Sequence, residues 1–192
     1  MCSRYTILSP HNLHEEFDPD EIETEPDRPR YNIAPTQAVP IVLARDRRRI
    51  LTMAHSGLVP AWAKDRSIAA RLINARAETL GEKPAFRDAI LRRRCLVPAD
   101  GFFEWIQNTR PKQPVYFTLQ DGKPFAFAGL YEIWRAGQAD ELQSCTIITT
   151  EPNELVQPVH CRMPAILEKQ DYEQWLMEDA DDWRVFQKLL AP

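Results

Sequence analysis

The 192-residue sequence predicts an α+β protein: a curled, partly open β-barrel-like sheet with helices at its periphery. Short apolar, β-branched runs recur along the chain, as strands require. They do not alternate with helical segments, so no βαβ rhythm is present. Sixteen prolines against six glycines break the chain into many short elements. No repeat and no linker-like stretch divides it, so residues 1–192 are expected to form one domain.

Taken in order, Arg4–Leu8 reads as a first strand and His11–Phe17 as a short helix. The acidic, proline-dotted segment of residues 15–30 is expected as a loop. Val39–Ala44 and Arg49–His55 form a hairpin across the charged turn Arg45-Asp46-Arg47-Arg48. Pro60–Arg66 and Ile73–Glu78 read as irregular. Lys83–Arg94 predicts a helix whose final Arg92, Arg93 and Arg94 suit the negative end of its dipole. Further strands are expected at Cys95–Pro98, Phe102–Ile106, Val115–Leu119, Phe125–Tyr131 and Cys145–Thr149, with Asp121-Gly122 as a hairpin turn between two of them. Asp171–Met177 and Asp181–Leu190 read as closing helices within residues 168–192.

Composition narrows the function classes. No apolar run, Ile41–Ala44 among them, approaches the ~20 residues of a membrane span. The start of the chain does not read as a secretory signal, so a cytoplasmic protein is expected. Net charge is −4, yet it is segregated: 15 of the 28 carboxylates lie in residues 15–27 and 168–182, while Tyr31–Leu167 holds 18 Lys+Arg against 13 Asp+Glu. Of the 24 basic residues 18 are Arg, the side chain suited to phosphate and base stacking. A basic middle fits a polyanion, though a charge run also serves as a solvated face. Cys2, Cys95, Cys145 and Cys161 have no zinc-ligand or CxxC spacing, and no phosphate-binding glycine motif occurs, so neither a metal nor a nucleotide cofactor is expected.

Four clusters carry chemistry. Cys2 follows the initiator Met1; once Met1 is removed, Cys2 offers an α-amine (reference pKa ~7.7–8.0) and a thiol (~8.5) on one residue. Such a 1,2-aminothiol condenses with an aldehyde to an imine and then a thiazolidine; position alone also allows a chance cysteine. Asn74 and Arg76, two apart on extended chain, present an amide and a guanidinium to one side, or else form an Asx-turn and a surface salt bridge. Glu104 alternates with Phe103 and Trp105 on a strand, where partial burial raises a carboxyl toward acid/base use; a cross-strand salt bridge is the other reading. His160 precedes Arg162 in a segment without helix or strand period, a loop position of the kind that carries function, although histidines in apolar stretches are commonly structural. Cys161 diverges from it and is incidental.

Together these blocks resemble the SOS response-associated peptidase family, the abasic-site-processing proteins of bacteria and eukaryotes. The likeness runs through Met1-Cys2 with Arg4-Tyr5, Tyr31–Thr36, Gly57–Asp65, Asn74–Thr79, Arg94–Trp105, Ala126–Leu130, Thr146–Thr150 and His160–Pro164. Ser3 stands where the family usually has glycine, and Ser56 where a tryptophan often precedes the Gly-Leu-Val-Pro block. The acidic stretch Glu15–Asp27 is longer than usual and would repel DNA if it lay near the groove. The resemblance implies a barrel with surrounding helices. It makes Cys2 a covalent nucleophile sharing a pocket with Asn74, Glu104 and His160. Arg4, Arg76 and Arg162 are implied as phosphate contacts, and Trp62 and Trp105 as base-stacking residues. The implied partner is single-stranded DNA containing abasic sites, bound by a monomer and captured as a thiazolidine crosslink, with self-removal of Met1 as a peptidase activity and possible lyase activity. Two rivals use the same residues: a Cys/His/Glu protease acting in trans, and a non-covalent single-strand-binding module.

Overall fold

The computed structural model describes residues 3–107 and 109–192. Its strands are β1 (Arg4–Ile7), β2 (Glu21–Ile22), β3 (Arg30–Ile33), β4 (Ala38–Arg45), β5 (Arg48–Ser56), β6 (Asn74–Arg76), β7 (Arg94–Ala99), β8 (Gly101–Trp105), β9 (Pro114–Thr118), β10 (Phe125–Trp134), β11 (Leu142–Thr150), β12 (Met163–Pro164) and β13 (Ile166–Leu167). The α-helices are short: α1 (Leu13–Phe17), α2 (Ala89–Arg92) and α3 (Tyr172–Met177).

β4 pairs with β5 and β7, β7 with β10, and β10 with β11. β11 then returns to β5 through a short parallel pairing, His55 opposite Ser144 and Ser56 opposite Cys145. Five strands therefore close into a barrel, which removes the open edges a curled sheet would leave. β10 reads FAFAGLYEIW with little alternation, because both of its faces are covered. Gly129 is needed within it: a Cβ there would lie 2.7 Å from Val97 Cγ2. A separate antiparallel sheet, β3-β1-β8-β9, lies against the barrel. Its inner aromatics Tyr5 and Phe102 meet Phe127 of β10 edge-on, with ring centroids 5.7 and 6.0 Å apart.

Since β10 is antiparallel to both β7 and β11, those two strands run the same way. Their C-terminal ends, Ala99 and Thr150, mark one end of the barrel; the β4–β5 tip, beside the start of β7, marks the other. That tip is a two-residue turn with Asp46 and Arg47 both at positive φ, 51° and 58°, the geometry that suits a right-twisted hairpin.

Several expectations need correction. The acidic segment is not all loop: residues 15–17 complete α1, and Glu21–Ile22 joins β5 as a parallel edge strand. The helix expected over Lys83–Arg94 shrinks to α2, and Arg94 opens β7. Arg94 is drawn into the core because its guanidinium serves two helices at once. It donates to the carbonyls of Ile90 (2.9 Å) and Leu91 (2.6 Å) in α2, and to those of Trp175 (2.6 Å) and Glu178 at the end of α3. Burial pulls its pKa down to about 10, and it rests 4.2 Å from the Phe186 ring centroid. Asp121-Gly122 forms a turn with Gly122 at φ 67°, but it joins strands of different sheets, since β9 pairs with β8 and β10 with β7. The last expected helix is a 3-10 helix, Trp183–Leu190. No helix among the described residues is long and apolar enough to cross a membrane.

Candidate functional site

Of the predicted site residues, Glu104, His160, Arg76 and Arg162 lie toward the β7/β11 C-terminal end. β8 leaves that end through the Asp100-Gly101 corner, which is tied to β1 by Asp100 N–H donating to Thr6 O (3.0 Å) and Leu8 N–H donating to the Asp100 carboxylate. Alternation along β8 turns Phe103 and Trp105 outward and Glu104 inward, where its residue exposure is 2%. Burial pushes the Glu104 carboxyl above its usual range, and His160 pulls the other way. Arg4 lies opposite Phe103 in the antiparallel β1–β8 pair, so Ser3 is next in register to Glu104. Cys2 itself lies outside the described residues.

His160 follows the turns that close at Val159, with its N–H donated to Val156 O (3.0 Å). Its side chain is 12% exposed, and Nε2 stands 3.9 Å from Glu104 Oε2. Nδ1 lies 3.0 Å from the Arg162 N–H and 3.1 Å from the Arg162 carbonyl. A neutral ring accepts from the N–H, and a protonated ring donates to the carbonyl, so the loop holds the imidazole in either state. A buried carboxyl beside a histidine with two workable protonation states is equipped for proton transfer.

Arg162 is less free than a phosphate contact requires. It donates to both Glu78 carboxylate oxygens (2.6 and 3.0 Å) and to Thr149 O (2.6 Å). The Glu78 carboxyl is held below its usual value: burial opposes this, but the Arg162 hydrogen bond and charge win. No sequence signal singles out Glu78, two residues after Arg76, yet it latches the His160 loop to the turn following β6.

β6 runs parallel to β11, with Asn74 opposite Ile147 and Arg76 opposite Thr149. Ala75 is buried between them, so Asn74 and Arg76 face one side, as their spacing predicts. Asn74 Nδ2 donates to Ile147 O at 3.4 Å. Both residues line a cleft of about 390 Å³ whose walls include Trp62, Ile68, Pro84 and Phe86, with Arg71 and Lys83 as additional cations. Trp62 is 62% exposed. Trp105 is not in this cleft: it lines a second groove of about 210 Å³ with Tyr31, Asn32, Phe103 and Pro114. Arg4 belongs to that side, its Nη1 donating to Asn32 Oδ1 at 2.9 Å. Among the described residues no group of three or more His, Cys, Asp or Glu is placed to hold a metal ion.

The model of one protein family, SOS response associated peptidase (SRAP), matches residues 1–192. The chain belongs to the SRAP family. It is similar to abasic site processing protein YoqW of Bacillus subtilis, 42% identical over all of this chain and 87% of that protein. It is also similar to abasic site processing protein HMCES of Gallus gallus, 32% identical over 86% of this chain and 59% of that protein. Among solved structures, a protein from Bacteroides thetaiotaomicron superposes with a TM-score of 0.85 at 27% identity, covering 98% of this chain and 86% of the other. A Bordetella bronchiseptica protein does so with a TM-score of 0.82 at 25% identity, covering 100% and 94%. In this SRAP chain Ser56 ends β5, where its N–H donates to Gln37 O (2.8 Å) and its carbonyl accepts from Thr36 N–H (2.8 Å). These are backbone bonds, so the departure at Ser56 leaves the strand pairing intact.

Proposed function

We propose that this protein captures abasic sites in single-stranded DNA as a covalent thiazolidine on Cys2, after Met1 is removed. The observation that carries this reading is the buried Glu104–His160 pair, 3.9 Å apart, with Glu104 on the strand that pairs with β1. The names of the relatives, abasic site processing proteins, support the substrate class.

An abasic deoxyribose is mostly a closed ring, and only the opened form shows an aldehyde. His160 delivers a proton to the ring oxygen as the C1′ hydroxyl gives one to water, the bond from C1′ to the ring oxygen breaks, and the ring opens. The Cys2 amine adds to C1′, and the carbinolamine loses water to leave an imine. Glu104, protonated more readily than an exposed glutamate, supplies the proton that departs with that water. The Cys2 sulfur then bonds to C1′ as the imine nitrogen takes a proton, closing the five-membered ring. This removes the imine, the species that would expel the 3′ phosphate by β-elimination, and so shields the strand from breakage. Asn74 holds the sugar from the cleft, Arg76 and Arg4 meet phosphates, and Trp62 and Trp105 stack on bases in their separate grooves; Arg162 acts first through Glu78, steadying the His160 loop. The same Cys2, acting on the Met1 carbonyl, accounts for a peptidase activity.

Mixing the protein with single-stranded DNA bearing one abasic site and running a denaturing gel tests the reading. A heat-stable, slow band that undamaged DNA does not give is expected. Retained binding without that band would contradict it in favour of a non-covalent module.

A further inference from the structure

β5 and β6 lie along the same edge of β11, pairing at Ser144–Cys145 and at Ile147–Thr149 respectively. Between them residues 57–73 leave the edge as an excursion that carries Trp62 and one wall of the 390 Å³ cleft. Its neck is closed by backbone: Gly57 N–H donates to Cys145 O (2.8 Å) and Leu58 N–H to Leu72 O (3.1 Å). Gly57 is required there, at φ 113° and with Ala69 O 2.6 Å from where a Cβ would stand.

The outer part is held differently, by the β10–β11 hairpin. The Trp134 indole N–H donates to Ala63 O (2.8 Å), Val59 N–H donates to Ser144 Oγ (2.9 Å), and Arg66 donates to Asp140 O (3.0 Å). The Trp134 ring forms a small apolar cluster, separate from the main core, with Val59 and Ala69, against which Ala63, Ile68 and Leu142 pack. Arg135 and Arg66 flank the ring, at 4.2 and 5.3 Å from its centroid. The carbonyl that Trp134 grips thus belongs to the residue directly after Trp62.

We propose that Trp134 is a positioning residue that sets Trp62 at the mouth of the cleft, ready to stack on an unpaired base. Its value lies in pre-organisation: a wandering indole would surrender conformational freedom on binding, whereas a fixed one does not. The inference rests on the reading of the cleft as a single-strand DNA site.

Trp134→Phe keeps an apolar ring and deletes the donor to Ala63. Affinity for undamaged single-stranded DNA should fall about three- to tenfold, the range of one lost hydrogen bond. Trp62→Ala should weaken it about fivefold or more. The double variant should bind no more weakly than Trp62→Ala alone, since positioning matters only while Trp62 is present. Hydrogen exchange of the 61–66 amides should accelerate in Trp134→Phe whether or not DNA is bound. Arg66→Gln, which releases the Asp140 tie and removes a cation 5.3 Å from the Trp134 ring but leaves the ring and its donor to Ala63 in place, should reproduce both effects more weakly and guards against a folding defect. Multiplicative effects in the double variant, or unchanged affinity with Trp134→Phe, would overturn the positioning role. Unchanged 61–66 exchange would do so without reference to DNA. Unchanged affinity with Trp62→Ala would instead overturn the stacking role, and the proposal with it.

Discussion

The two ends of the barrel both carry arginines, and leave different shares of them paired: at the site end Arg162 is held by Glu78. At the β4–β5 tip, Arg45 donates to Glu23 (2.7 Å), Arg48 pairs with Glu21 (3.1 Å), and Arg49 donates its N–H to the Asp20 carboxylate (2.7 Å) and its guanidinium to Phe17 O (3.3 Å). The acids are set there by backbone pairing of β2 with β5, Glu21 opposite Ile50 and Ile22 opposite Leu51. At the other end, among the described residues, neither Arg4 nor Arg76 forms an ion pair. Asp20, Glu21 and Glu23 of the acidic run therefore pair with the distal hairpin. Charge counted along the sequence does not separate these two environments; strand register does.

The largest effects should come from the proton-transfer pair. His160→Ala and Glu104→Ala should slow single-turnover crosslinking about 10²–10⁴-fold while leaving the final yield intact, because the aminothiol remains. Wild-type rates from folded variants would remove both from the mechanism.

Next comes the contrast between the ends, read by salt titration of binding. Each phosphate neutralised on single strands contributes a slope of about −0.7. Arg76→Gln should flatten the slope by about that amount, whereas Arg45→Gln should leave it unchanged. A flatter slope from Arg45→Gln would mean that DNA also uses the hairpin. Releasing the mask should sharpen the same contrast. Glu21→Gln with Glu23→Gln frees Arg45 and Arg48, so non-specific DNA affinity should rise and its slope steepen, while stability falls by at most about 1 kcal/mol for each of these exposed pairs. Unaltered non-specific binding would deny that the acidic strand screens anything.

The smallest effect is on stability. The folded-state pKa of Glu104 is raised by burial above 4.5, so the stability gained from its proton is full below the unfolded value and is lost as pH rises through the folded one. Glu104→Gln has no such loss. Its melting temperature should gain on the wild type as pH rises through that window, and a gap independent of pH would contradict a buried, titrating carboxyl.

How far these regions were legible follows from which interactions are local. The hairpin strands, the inward Glu104 between outward Phe103 and Trp105, and the shared face of Asn74 and Arg76 follow from two-residue periodicity, a near-neighbour property. β2 is two residues long, exposed and acidic; only its partner β5 makes it a strand. The helix over Lys83–Arg94 lost its end because Arg94 answers carbonyls more than 80 residues away. Glu78 and Arg162 meet across 84 residues, and Trp62 and Trp105 separate into two grooves; no spacing rule encodes either outcome.

The central claim is that both groups of one residue, the α-amine and the thiol of Cys2, capture the lesion at the Glu104–His160 end. Acetylating the α-amine of the processed protein while sparing the thiol tests it most directly. Crosslinking to abasic single-stranded DNA should be abolished, with binding to undamaged strands nearly unchanged. Full crosslinking by the acetylated protein would contradict the account.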